Sequence, residues 1–193
     1  MALPKRSLLK ATGLLFAVSS LFSCAPHEAR QMNLIPKPAQ MEWGSGYFNA
    51  DSNLVFESGS IRHIIDGEGH PEGYSLEVKK DGIVVKAATE AGIFYGQQTL
   101  KQLYTSEGFP CVSITDVPRF SYRGLHLDVS RHFFPKEEIM KLLDVMAYYK
   151  LNKLHFHLTD AGGWRLQIDE YPKLTAETAY RTETDWLKWW DGK

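Results

Sequence analysis

With two cysteines, Cys24 and Cys111, in 193 residues, the chain holds neither a four-thiolate metal site nor a multi-disulfide scaffold. Soft-metal chemistry is disfavoured and no cofactor is expected. A basic excess is also missing. Against 23 Asp and Glu stand 22 Lys and Arg, a formal net charge of −1, so the broad positive field that phosphate contacts need is absent and no nucleic-acid partner is implied. No apolar run reaches the roughly 20 residues a helix needs to span a hydrocarbon core. The length falls short of the roughly 250 residues of a complete (β/α)8 barrel. What remains is a globular composition, 44% hydrophobic and 12% aromatic.

Residues 1–23 have the layout of a signal peptide: Lys5, Arg6 and Lys10, then an apolar stretch through Leu14-Leu15-Phe16-Ala17-Val18, then Leu21-Phe22-Ser23-Cys24. Leu at −3 and small Ser at −1 before Cys resemble a bacterial lipobox, with Phe22 bulkier than usual at −2. Cys24 is then the lipidated first residue of an exported protein anchored in the outer membrane; the alternative is an ordinary secretory signal with a chance cysteine. Removing residues 1–23 takes away three basic groups and no acid, moving the net charge from −1 to −4. Cys111, left alone, is expected to be buried in Cys111-Val112-Ser113-Ile114. Residues 24–33 read as a polar tether.

Residues 34–117 read as a small α+β domain. Pro36-Lys37-Pro38 enforces an extended entry. Strand-like stretches follow at Tyr47-Phe48 and Leu54-Val55-Phe56. Tyr74 to Val78 alternates apolar with polar, Lys80-Asp81-Gly82 is a hairpin turn signal, and Ile83-Val84-Val85 returns as the partner. Thr89 caps a helix to about Tyr104 with a stripe of Ile93, Phe94, Leu100, Leu103 and Tyr104. Cys111 to Thr115 is a last strand. No titratable cluster is evident here, so the domain is read as supporting.

The pattern changes in residues 118–193. Leu125, Leu127 and Val129 alternate with His126, Asp128 and Ser130, as in a strand with one polar face. Ile139, Leu142, Leu143, Met146 and Ala147 fall at helical spacing after Pro135, and Leu154, Phe156 and Leu158 alternate with His155, His157 and Thr159. Strand, crossover helix and strand make a βαβ unit with parallel strands. Functional groups in such sheets gather beyond the carboxyl ends of the strands. Asp128, Ser130, Arg131 and His132 follow the first strand; Thr159, Asp160, Trp164 and Arg165 follow the second. The two sets should be neighbours.

Arg123-Gly124-Leu125-His126-Leu127-Asp128-Val129-Ser130-Arg131-His132-Phe133-Phe134-Pro135, then Asn152 to Asp160 and Gly163-Trp164-Arg165, resembles the opening of the family 20 glycoside hydrolases, the β-N-acetylhexosaminidases. Leu34-Ile35-Pro36-Lys37-Pro38 is similar to the start of that family's accessory domain. The resemblance implies an α/β fold: the small domain followed by the first βα units of a truncated TIM barrel. It implies a glycan substrate ending in N-acetylhexosamine, Arg131 on the hydroxyls of the terminal sugar, and Asp160 paired with a histidine to orient the catalytic acid. Arg123 is open between a structural ion pair and a site role. Asp128 reads as a structural partner in the barrel mouth rather than a sugar contact.

There are two departures. Ala161 stands where many relatives carry a second aspartate. The family's catalytic Asp-Glu pair, which follows a His-x-Gly-Gly element, is not in these 193 residues; Asp169-Glu170 is the only such dipeptide and reads as a surface pair. The implied mechanism is retaining and substrate-assisted, an exception to the two-carboxylate scheme. The chain by itself is therefore expected to be inactive.

Two rivals compete. A metal-dependent hydrolase would use His155 and His157, at i, i+2 on one strand face. A non-catalytic glycan-binding lipoprotein would use Trp164, Trp186, Trp189 and Trp190 as stacking platforms, although Trp186, Trp189 and Trp190 at i, i+3, i+4 also suit a packed helix.

Overall fold

The computed structural model describes residues 32–51, 55–56, 59–181 and 183–192. Cys24, residues 1–23 and most of the tether lie outside them. The fold is mixed α/β.

Strands β1 (Gln40–Phe48), β2 (Ile61–Ile65), β3 (Tyr74–Lys79), β4 (Gly82–Ala87) and β5 (Phe109–Asp116) form one sheet in the order β1-β5-β3-β4-β2. The β3–β4 hairpin closes with Lys79 opposite Gly82, so Lys80-Asp81 is a two-residue loop, as the turn signal predicts. Strand β2 runs parallel to β4, a pairing its mixed sequence does not announce. Cys111 is buried in β5 as a free thiol. Val55 and Phe56 are helical, not extended. An apolar triplet is too short for periodicity to choose between the two. Both still serve the core: Val55 is buried, and Phe56 meets Phe109 edge to face at 6.4 Å.

Helix α1 (Glu90–Leu103) crosses this sheet, capped by the Thr89 hydroxyl, which accepts from the Ala91 N–H at 3.1 Å. Its buried face differs from the expected stripe. Ile93, Leu100 and Leu103 are buried, but Phe94 and Tyr104 are exposed. Gly92 and Gly96 take the contact face instead: a Cβ on Gly92 would lie 2.2 Å from the Gly73 carbonyl oxygen, and one on Gly96 2.5 Å from Val85 Cγ1. Two glycines one turn apart let the helix approach the strands closely, and a hydropathy pattern gives them no weight.

After the sheet, β6 (Gly124–Asp128), α2 (Lys136–Tyr148) and β7 (Lys153–His157) form the expected βαβ unit, β6 and β7 parallel with Asp128 opposite His157. A short hairpin follows, β8 (Thr159–Asp160) with β9 (Gly163–Trp164), then α3 (Lys173–Ala176) and α4 (Trp186–Asp191). Asp169 and Glu170 are both exposed. The main core cluster draws its buried members from residues 34–114 alone.

Candidate functional site

The carboxyl ends of β6 and β7 carry a polar cluster. Asp128 ends β6 and its Oδ1 accepts from the Ser130 and Arg131 backbone N–H groups at 2.9 and 3.1 Å. That turn throws the Arg131 side chain back over the strand end, where Nη1 donates to Asp128 Oδ2 at 2.9 Å. The same nitrogen lies 2.7 Å from Asp160 Oδ2. Two residues predicted from separate strands thus meet at one point. Asp160 reaches it because the β8–β9 hairpin turns the chain back immediately after β7.

His157 completes the group. Its Nε2 is 3.1 Å from Asp160 Oδ2 and 2.9 Å from Arg131 Nη1. One ring nitrogen donates to the carboxylate or accepts from the guanidinium, according to tautomer, but not both. The hydrogen bond from the Ala161 N–H, with smaller contributions from His157 and Arg131, holds the Asp160 carboxyl below the usual aspartate range. Desolvation works against Asp128, yet the amide bonds from Arg131 and Ser130 keep its carboxyl low as well. At working pH the cluster is two carboxylates around one cation. Among the described residues, Nε and Nη2 of Arg131 make no hydrogen bond, and the side chain is 43% exposed. A guanidinium fork with free N–H groups suits adjacent hydroxyl oxygens.

The loop below is stiffened by groups the sequence reading placed near the site without a role. Buried Ser130 donates through Oγ to the Gly163 carbonyl at 2.7 Å. Arg165 donates to the carbonyls of Val129 (2.9 Å), Ser130 (3.2 Å) and Ala179, lacing the β6 exit to the hairpin and the segment beyond. Arg123 is far from this cluster. It pairs through Nη1 and Nη2 with both carboxylate oxygens of Glu72, each at 3.1 Å, which resolves its two readings in favour of the structural pair.

His155 and His157 do not converge on further ligands. Their rings stack near His126, with centroids 4.6 and 6.0 Å away, and among the described residues no group of three His, Cys, Asp or Glu is arranged to hold a metal ion. A cavity of about 490 Å³ lies at the opposite ends of the strands, between Pro36–Pro38, Tyr74, Tyr95 and Phe120. Of its charged lining, Glu72 is paired with Arg123 and Asp116 with Lys150, while Lys37 and Arg119 also face it.

Known proteins place this architecture. Residues 58–117 match the family profile described as glycosyl hydrolase family 20, domain 2, and residues 120–188 that family's catalytic domain. A β-hexosaminidase of Akkermansia muciniphila is 36% identical over 172 residues, covering 84% of this chain and 33% of that protein. The N,N'-diacetylchitobiase of Vibrio harveyi is 50% identical over 111 residues, 56% of this chain and 13% of that one. The crystal structure of a β-N-acetylhexosaminidase from Bacteroides fragilis superposes with a TM-score of 0.67 at 31% identity, over 76% of this chain and 37% of that one. The chain spans about a third or less of the curated relatives named here.

Proposed function

Because the chain belongs to glycoside hydrolase family 20, we propose that it forms the N-terminal part of an exported β-N-acetylhexosaminidase, removing terminal β-linked N-acetylglucosamine or N-acetylgalactosamine from glycans. Residues 34–117 are its accessory domain and residues 118–193 the first βα units of its catalytic TIM barrel. Arg131 binds hydroxyls of the terminal sugar. Asp160 orients the catalytic acid through a histidine. The observation that carries the reading is the 2.7 Å approach of Arg131 Nη1 to Asp160, which leaves the N–H groups of Nε and Nη2 for ligand oxygens.

In the whole enzyme the reaction is retaining and substrate-assisted. A glutamic acid protonates the leaving oxygen, the substrate's acetamido oxygen attacks the anomeric carbon, and an aspartate steadies the acetamido nitrogen. That Asp-Glu pair is not among these 193 residues, so the chain alone binds sugar weakly and does not turn it over. The Leu21-Phe22-Ser23-Cys24 sequence supports a lipid anchor on Cys24 and an outer-membrane location.

The test is a titration of N-acetylglucosamine into the labelled chain, read at the Arg131 guanidinium resonances, alongside an assay with an aryl N-acetylglucosaminide. Sugar-dependent shifts of the Arg131 guanidinium signals, with no aryl release, are expected. Aryl release by the purified chain removes the inactivity reading, and unshifted Arg131 signals at saturating sugar remove the subsite.

A further inference from the structure

The other ends of β6 and β7 are held by charges that no sequence pattern connects. Arg123, just before β6, forks onto Glu72 and sends Nε to the Lys150 carbonyl at 2.8 Å. Asn152, just before β7, donates through Nδ2 to Glu72 Oε1 at 3.1 Å, and its Oδ1 accepts from the Arg123 N–H at 3.0 Å. One carboxylate thus grips the starts of both strands. A second grip comes from Lys150, whose ammonium is 2.7 Å from the Tyr74 hydroxyl and 3.1 Å from Asp116 Oδ2.

Lys150 occupies an unusual place for a lysine. It ends α2 at the left-handed position of a Schellman turn, with φ at 60°, the Lys150 N–H on the Ala147 carbonyl and the Leu151 N–H on that of Met146. Glycine or asparagine normally sits there, because a Cβ is disfavoured. The lysine is only 5% exposed, and burial pushes its ammonium below the ordinary lysine range. Backbone conformation and desolvation both oppose this residue. A buried pair of this kind contributes geometry more than stability.

Geometry is what a lone pair of parallel strands lacks. A one-residue slip would turn every side chain to the opposite face and take His157 from beside Asp128. From Arg123 to Asp128 the strand runs about 16 Å, so a register fixed at the base sets what meets at the top.

We infer that Glu72, in the turn before β3, and Asp116 and Tyr74 of the sheet, acting through Arg123, Asn152 and Lys150, are positioning residues that lock the register of β6 against β7 and so bring Arg131 to Asp160. The lock itself is independent of the substrate; only its consequence for sugar binding rests on the function proposed above.

The experiment uses the labelled full chain, with Lys150→Met and Glu72→Gln as releasing variants and Val85→Ala, in the buried sheet core, as the control for lost stability. Guanidinium resonances of Arg131 and amide exchange in β7 are the readouts. Both releasing variants should move the Arg131 signals toward those of free arginine and speed β7 exchange at least tenfold, whereas Val85→Ala should speed exchange in the sheet and leave Arg131 in place. Should Lys150→Met fail to fold, Glu72→Gln decides alone. Unmoved Arg131 signals in the folded releasing variants, or an equal displacement in Val85→Ala, overturn the lock. Loss of the sugar response in the unaltered chain would instead sink the subsite and leave the lock standing.

Discussion

The two regions bury their apolar residues to different degrees. In the five-stranded sheet, Val85, Leu100, Leu103 and Phe109 are fully enclosed between strands and α1. In the βαβ region few side chains reach that state: Met146 is the one buried residue of α2, and Phe120 stands 71% exposed, with Phe133, Val145 and Phe156 also open. The first region carries its own core, while the second presents apolar surface of the kind that marks an interface. Phe109→Ala and Phe156→Ala put the contrast to its hardest test. Phe109 is in ring contact with Phe56 and Tyr104, and its truncation should cost about 3–5 kcal/mol in urea unfolding. The same change at Phe156 should cost about 1 kcal/mol or less. Equal losses would mean that the βαβ face is covered in solution.

The ionic seam between the regions offers an intermediate effect with a pH signature. Arg123, followed by Asn152 and Tyr95, lowers the Glu72 carboxyl from 4.5 to about 2. A carboxyl depressed on folding stabilises above its unfolded pKa and loses that contribution as pH falls through its folded one. The unfolding free energy of the unaltered chain in urea should exceed that of Glu72→Gln by about 1–2 kcal/mol above pH 5, a value limited by the partial exposure of the pair. The gap should close between pH 4.5 and 2. A gap that persists at pH 2 would show that the glutamine perturbs packing rather than charge.

How far the sequence discloses this molecule depends on the range of the interaction. The βαβ unit was legible because alternation in β6 and β7 and the 3.6-residue spacing in α2 are local, and Arg131 and Asp160 were legible as a pair because strand ends of a parallel unit are neighbours. The α1 face was misread because Gly92 and Gly96 bury without being hydrophobic. The seam was invisible: Glu72 and Arg123 are 51 residues apart and Tyr74 and Lys150 are 76 apart, and nothing local links them. The one hint was a lysine where a helix end calls for glycine. His157 was read as a metal ligand candidate, whereas its ring lies against Asp160 and Arg131.

The smallest effect expected is at the exposed face of α2. Leu143 and Val145 are 38% and 51% exposed, so Leu143→Gln, which preserves helix propensity, removes little buried area. Its unfolding free energy should stay within about 0.5 kcal/mol of the unaltered chain, while light scattering at raised concentration should fall, because an exposed apolar ridge favours self-association. The enclosed counterpart, Leu100→Gln in α1, should instead abolish cooperative unfolding, since it buries an amide in the apolar core without a partner. If Leu143→Gln destabilises by about 2 kcal/mol and the loss grows with protein concentration, α2 is packed against a second copy, and the asymmetry between the two regions holds only for the isolated chain.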